Sequence, residues 1–519
     1  MLSRNFWFLI ICLVASASPT RSQTMTNPQM DSLVENTMKA FEVPGIAVGI
    51  VKDGKLLYAK GYGVRSLNTG EKVDAHTLFG IASNSKAFTA AAMAILVDQG
   101  KLKWDDKVIT YIPEFQLYDP YVTANFTIRD LLSHRSGLAP GAGDLMHDPD
   151  SSNFTLSDII HNMRFLTPVS PFRSKFGYSN NMYIIAGEIV ARVSGMSWEK
   201  FVEKNIMGPL QMEESSASYN GIKDKTNVID AHASVDGMVK VIPRYASEIC
   251  DPAGGVYSSV TDLSKWAIMQ LNGGKYGEGL TQQLFSEAVH NEMWTPQTII
   301  PIGKTNIYNT HFGAYGLGWF LCDVKGYKQV FHTGQDVGMV SEIILMPELK
   351  LGIIVLTNQE AGEAYVSIGD QIIDGYLGIT GTDHLKEKVD QHRESKRYTD
   401  STVSAVQKAL TFGQSRATFT ADSNKYCGLY RDNWLGDVLI TVNNHQLWFH
   451  SLRSPQLTGP MLHYNDNIFA IKWRNSSLDE GVFASFTFNE QGKADSISLQ
   501  AISGFSSDFK NLHFRRIKE

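Results

Sequence analysis

Four cysteines in 519 residues are too few for a disulfide framework, and one of them, Cys12, lies inside an apolar run near the N-terminus. That run carries no small residue just before Cys12, so lipid attachment there is disfavoured. The other three, Cys250, Cys322 and Cys427, are an odd number and cannot all pair within one chain. Dense Lys/Arg stripes are also missing, and the formal net charge is −6, which argues against a nucleic-acid partner. Arg515, Arg516 and Lys518 read as a solvated end. The apolar run Phe6 to Val14 falls short of the roughly 20 residues needed to span a bilayer. Internal repeats and low-complexity tracts are absent.

What is present is ordinary globular composition, 43% apolar and 19% charged, at a length that calls for two or more domains. Arg4, the apolar run and Ala15-Ser-Ala17 form the pattern of a cleavable signal peptide over residues 1–23, with export to the periplasm or the medium as the expected outcome and no stable membrane span after its removal. Asn125, Asn153 and Asn475 match the N-glycosylation pattern, which matters only in a eukaryotic host.

Residues 45–63 read as two apolar strands, Ile46 to Val51 and Leu56 to Tyr62, joined by a tight turn at Asp53-Gly54. A second hairpin is expected near the far end of the domain, with Ser341 to Met346 and Leu351 to Thr357 around Pro347-Glu-Leu-Lys350. Strands at both ends with helices between predict an α+β domain, 24–382, whose antiparallel sheet is completed from both ends and flanked by helices. Residues 383–424 turn polar and read as a linker, with one candidate helix at Ser401 to Leu410. Residues 425–519 carry short alternating strands, among them Val438 to Val442, Leu447 to His450, Ile468 to Trp473, Phe483 to Phe488 and Ile497 to Gln500, with a turn at Asn443-Asn444. That spacing predicts a small β-barrel or sandwich.

Ser83 and Lys86 stand three residues apart at the head of an alanine-rich apolar run, Ala87 to Gln99, which ends at Gly100 and reads as a buried helix. Residues i and i+3 share a helix face, so the Lys86 amine can reach the Ser83 hydroxyl and take its proton. The unpaired N–H groups of the helix start favour an oxyanion there. The same Ser-x-x-Lys spacing recurs at Ser197/Lys200 and Ser507/Lys510, so spacing alone does not establish a site.

Tyr178-Ser-Asn180 precedes a second apolar helix, Met182 to Val193. Tyr178 is a candidate general base if Lys86 lowers its pKa, and Asn180 a candidate holder of a substrate amide or carbonyl; the alternative is a turn in which Asn180 caps the helix. Ser179 lacks the Gly-x-Ser-x-Gly elbow of α/β-hydrolases and is rejected as a nucleophile. His332-Thr333-Gly334 follows a short strand, Gln329 to Phe331, and can line a groove, with Gly334 allowing close backbone approach and the Gln335 N–H joining that of Ser83 as oxyanion donor. A packed or surface histidine is the alternative for His332.

These three elements, in this order, resemble the serine β-lactamase and penicillin-binding protein superfamily. The tyrosine form of the second is similar to class C β-lactamases, family VIII esterases and D-aminoacyl peptidases. Supporting stretches are Val43-Pro-Gly-Ile-Ala-Val48, Leu131-Leu-Ser-His-Arg-Ser-Gly-Leu138, Pro252-Ala-Gly-Gly-Val-Tyr-Ser258 and Tyr315-Gly-Leu-Gly-Trp319. The C-terminal piece resembles the lipocalin-like barrel appended to such hydrolases. The resemblance implies a β-lactamase/transpeptidase-like fold with an all-helical subdomain, Ser83 as nucleophile, and Lys86 and Tyr178 sharing acid and base work. It further implies that Asn180, His332 and Thr333 bind substrate, and that neither metal nor organic cofactor is needed.

His332 stands where the family often has lysine, so a permanent cation for a substrate carboxylate is missing, and Arg173 is a candidate replacement. The expected substrates are small esters, amides or peptides, including D-aminoacyl peptides, with weak β-lactam turnover. An acyltransferase and a non-hydrolytic penicillin-binding sensor are the alternatives.

Overall fold

The computed structural model describes residues 25–148, 152–235, 237–244, 248–303, 307–397, 423–474, 481–502 and 508–517. The expected leader and the candidate helix at Ser401 to Leu410 lie outside these residues.

Eight strands form one antiparallel sheet: β1 (Gly45–Lys52), β2 (Lys55–Gly63), β3 (Thr298–Ile300), β4 (Gly313–Tyr315), β5 (Phe320–Val324), β6 (Tyr327–Asp336), β7 (Met339–Met346) and β8 (Leu351–Thr357), in the order β2-β1-β8-β7-β6-β5-β4-β3. The pairing of β1 with β8, from Ile46 opposite Thr357 to Lys52 opposite Leu351, joins the two ends of the domain as expected. The β1–β2 turn has both Asp53 (φ 51°) and Gly54 (φ 75°) left-handed, the geometry an Asp-Gly hairpin favours.

The inner strands are apolar without a break because both faces are covered. On β1, Ala47 and Val51 face one core, while Ile46, Val48 and Ile50 face another. The same two-residue alternation divides Ile343 and Leu345 from Ile344 and Met346 on β7. One face carries α1 (Asn27–Phe41) and, after β8, the helix Gly362–Leu377. The other carries α2 (Ser85–Asp98), α3 (Asn180–Ser194) and α4 (Val260–Leu271), with shorter helices filling the region between α2 and α3. Every residue of α2 from Ser85 to Leu96 is buried. Phe88 stacks on Trp266 of α4 at 4.1 Å between ring centroids, which locks α2 in the middle of the domain.

The segment read as a linker begins as structure. Residues 384–397 are helical, His384 bonds Asp374 at 2.7 Å, and Leu385 and Val389 pack on the second core. The apolar positions are sparse but suffice for a helix that caps an existing core.

The C-terminal strands β9 (Gly428–Asp432), β10 (Gly436–Asn443), β11 (Gln446–Ser451), β12 (Thr458–Asn465), β13 (Ile468–Ile471), β14 (Val482–Phe488), β15 (Ala494–Ala501) and β16 (His513–Arg516) close an antiparallel barrel in sequence order. Its interior is filled by aromatic side chains, Tyr426 lying edge-on to Phe469 and Phe486. The β10–β11 turn falls one residue later than expected, at Asn444 (φ 49°) and His445 (φ 60°). Among the described residues, no helix is long and apolar enough to cross a membrane.

Candidate active site

Ser83 sits in a single 3-10 turn, Ala82–Asn84, immediately before α2 rather than within it. Ala82 takes a left-handed conformation (φ 46°), costly for a residue with a Cβ, and this bend lifts Ser83 to the partly exposed floor of a cleft. The bend is held by its neighbours: Ile81 O accepts from Ser341 Oγ at 2.7 Å, and Asn84 Nδ2 donates to the same hydroxyl at 2.9 Å. A Cβ on Gly334 would lie 2.1 Å from Ile81 O. Glycine there lets β6 pack against the nucleophile turn, so its close approach is to Ile81 rather than to a ligand.

Lys86, on the first turn of α2, is fully buried. Its Nζ donates to Ser83 Oγ at 2.9 Å, to Asn180 Oδ1 at 2.7 Å and to Ala253 O at 2.8 Å. Burial pulls the amine down to about 7, and the nearby Cys250 and Asp144, which favour the cation, offset only part of that. Around neutral pH the amine is therefore divided between both forms and can accept the Ser83 proton. At Ser197, by contrast, the repeated spacing is a helix cap: its hydroxyl accepts the Lys200 N–H. Ser507 lies outside the described residues.

Tyr178 faces the same centre, with its ring centroid 4.8 Å from Lys86 Nζ and its phenol beside the Ser83 hydroxyl. The expected lowering of its pKa is contradicted. Desolvation among His134, Phe176 and His332 pushes the phenol well above its ordinary value, and the Ser83 hydroxyl beside it offsets this only partly. Tyr178 is a neutral phenol that can relay or donate a proton, not a standing phenolate. The cap of α3 is Ser179, whose Oγ accepts from Met182 N, leaving Asn180 free for the site. Both ends of the Asn180 amide are engaged, Oδ1 by Lys86 and Nδ2 by Asp144 Oδ2 at 3.0 Å.

On the opposite wall β6 runs past the end of β5, whose last pair is Phe320 with Phe331, so His332 to Asp336 form an edge beside Ser83. His332 is buried, shares a hydrogen bond with Tyr315 OH at 2.9 Å, and is pushed down to about 3 by burial and by Lys86. It is neutral at any physiological pH. Arg173 does not replace the missing cation: its guanidinium bonds both Asp130 oxygens, at 2.9 and 2.7 Å, and it is not among the residues lining the cleft. An acidic partner 43 residues away claims it.

The cleft, about 410 Å³, is lined by Ser83, Asp148, Tyr178, Asn180, Phe320, His332, Thr333, Gln335, Asp336, Val337 and Glu360. It thus gathers every expected site residue except the buried Lys86, which underlies it, Gly334, which is spent on packing, and Arg173. Sequence reading gave no role to Asp144, to Tyr315 or to the Ala253 carbonyl, although the last two fall inside stretches that carried the resemblance.

Residues 30–376 match the Beta-lactamase family. The chain belongs to that family. Residues 414–516 match a domain of unknown function, DUF3471. Among curated relatives, the unguisins hydrolase ungD of Aspergillus violaceofuscus is 27% identical over 84% of this chain and 80% of its own. The protein flp of Staphylococcus aureus is 29% identical over 64% of this chain and 62% of its own. The octameric penicillin-binding protein homologue from Pyrococcus abyssi has the same fold, with a TM-score of 0.61 at 23% identity over 94% of this chain and 100% of its own. With Ser83 and Tyr178 in the cleft and Lys86 beneath it, the chain is a hydrolase of the serine acyl-enzyme type.

Proposed function

We propose that the protein is exported through its leader and hydrolyses small esters or amides whose acyl part carries no carboxylate, D-aminoacyl peptides included, with β-lactams as poor substrates. The observation that carries the chemistry is the Lys86 Nζ to Ser83 Oγ bond at 2.9 Å, made by an amine titrating near 7. Neutral Lys86 takes the Ser83 proton as Oγ attacks the acyl carbon. The oxyanion is held by the backbone N–H groups of Ser83 and Gln335. Tyr178, whose phenol faces Ser83, gives its proton to the leaving group and takes one from the water that attacks the acyl-enzyme, while Lys86 returns its proton to Ser83 Oγ as the acyl bond breaks.

Charge supports the substrate reading. Asp148, Asp336, which burial pushes up to about 6, and Glu360 line the cleft, no Lys or Arg does among the described residues, and His332 is neutral. A carboxylate-bearing substrate meets like charge there, whereas a neutral or ammonium-bearing one does not. The hydrolase name of the Aspergillus relative supports hydrolysis as the fate of the acyl group.

The test is a panel of neutral chromogenic esters, D-aminoacyl amides with a free amine, and carboxylate-bearing β-lactams. The expected order of kcat/KM places the first two above the third. A β-lactam preference of tenfold or more overturns the substrate reading.

A further inference from the structure

The loop between the first two catalytic motifs is held from both sides. On the inner side, Gly141 N donates to Tyr178 O at 2.9 Å, Asn181 Nδ2 donates to Ala142 O at 3.1 Å, and Asp144 accepts from Asn180. On the outer side the partner is a barrel residue. Asp508, buried just ahead of β16, accepts the Gly143 N–H at 2.9 Å on one oxygen and the Leu145 N–H at 3.2 Å on the other. The residue between those two donors is Asp144. A continuous line of contacts therefore runs from the barrel carboxylate through the loop backbone to Asp144, Asn180 and Lys86 Nζ.

The barrel also touches this loop through Ser454 Oγ, which donates to Leu145 O at 3.4 Å, and it is docked elsewhere. Arg453 reaches Asn153 and Asp158 and stacks on Phe154, and Asn162 Nδ2 donates to Trp434 O at 2.9 Å. Arg453 separates docking from positioning, since its bonds go to Asn153 and Asp158, whereas Asn162 also meets Met146 Sδ at 3.6 Å. Docking alone does not require a buried carboxylate aimed at two backbone donors that flank a catalytic-site residue. A carboxyl that meets two N–H donors fixes the direction of a loop more tightly than a single contact does, and those two bonds oppose the burial and the Asp144 charge that push Asp508 up to about 7.

We propose that the C-terminal barrel is a working part of the active site: Asp508 is a positioning residue that sets Asp144, and through Asn180 the catalytic Lys86. This rests on the reading of Ser83 as the acylated nucleophile. Without Asp508 the Gly143 and Leu145 N–H groups lose their acceptor, the loop shifts, and Asp144 moves away from Asn180 and Lys86.

The test uses the full chain and a fluorophosphonate probe, following covalent labelling of Ser83 by mass spectrometry alongside steady-state ester hydrolysis. Asp508→Ala is expected to slow labelling about tenfold to a hundredfold, as small misplacements of a base do, and to lower kcat with KM within about twofold. Asp144→Ala should reproduce this, and the double variant should be no worse than the poorer single one, because both act on one path. Asp144 also meets His147 Nε2 at 3.2 Å, and Cys250 favours the Lys86 cation as Asp144 does; the acid limb of the labelling profile should move to lower pH in Asp508→Ala, since the Asp144 part of that support leaves Lys86. Arg453→Ala, which loosens docking only, should label at the wild-type rate. Should Asp508→Ala fail to fold, Asp508→Asn carries the test, because its amide sets N–H against N–H while keeping the shape. Labelling of the folded Asp508 variant within twofold of wild type, or an equal loss in Arg453→Ala, overturns the proposal. Absence of Ser83 labelling in the wild type overturns the hydrolase reading instead.

Discussion

The acidity of Lys86 gives the most discriminating prediction, because it converts burial into a rate profile. The perturbation is pH, and the quantity is kcat/KM for a neutral ester, which reports ionisations of the free enzyme. With the amine at about 7, roughly 1% of it is neutral at pH 5 and about half at pH 7, so kcat/KM should rise about fifty-fold between them and level off by about pH 8. A lysine with its ordinary pKa of about 10.4 would be neutral in well under 0.1% of molecules at pH 7 and would give a profile climbing without a break past pH 9. His332 does not contribute a limb in this window, being neutral above about 3. Tyr178 does not contribute one either, because its phenol is pushed well above its ordinary value. Asp336 in the cleft wall, pushed up to about 6, and Asp508, pushed up to about 7, titrate in the same window, so the bend belongs to Lys86 when it persists in Asp336→Asn and Asp508→Asn. A flat profile from pH 5 to 8, or an unbroken climb to pH 9.5, would refute the reasoning.

Further outcomes follow from the same geometry. Lys86→Met should cost about 10²- to 10⁴-fold in kcat/KM, the range for a lost general base. Its stability goes the other way. Lys86 binds its proton up to about 10.4 when unfolded but only to about 7 when folded, so between these values the unfolded state holds more protons and the contribution to stability rises with pH; at pH 6 the full penalty of a buried cation applies. Lys86→Met should therefore hold or raise Tm at pH 6, and a fall of several degrees would contradict this. Tyr178→Phe should lower kcat by about 10²-fold or more with the fold intact by circular dichroism, and near wild-type turnover would remove Tyr178 from the proton relay. Gly334→Ala puts a Cβ 2.1 Å from Ile81 O and should cost about 1–3 kcal/mol of stability together with Ser83 labelling; an unchanged Tm and labelling rate would contradict the packing account. His332→Lys should raise the efficiency ratio of carboxylate-bearing to neutral substrates and, by setting a second cation near Lys86, move the acid limb downward. An unchanged ratio and limb would count against the role given to His332.

Much of the fold was legible because it depends on local pattern. Alternation marked the hairpins at 45–63 and 341–357, and Ser83/Lys86, Tyr178/Asn180 and His332/Thr333/Gly334 announced themselves by order and spacing. Three barrel strands, β9, β12 and β16, and the helix at 384–397 were not read, since short or sparsely apolar segments carry little periodic signal. What stayed hidden depends on distant partners and on burial. Nothing local to Arg173 signals that Asp130, 43 residues away, holds both ends of its fork. Tyr178 looked activated by the lysine beside it, yet desolvation among aromatic rings dominates. Asp144 sits in a glycine-rich stretch with no motif of its own, and only the folded chain brings it to Asn180 and sets Asp508 behind it.

The central claim is that Ser83 carries the acyl group. Quenching the protein at acid pH during turnover of a slowly deacylating ester, followed by peptide mass spectrometry, should show the acyl mass on the peptide that contains Ser83. In Ser83→Ala, adduct and hydrolysis should disappear together while the fold is retained, because only a hydroxyl is removed. An adduct on a different residue, or hydrolysis that survives in Ser83→Ala, would contradict the account.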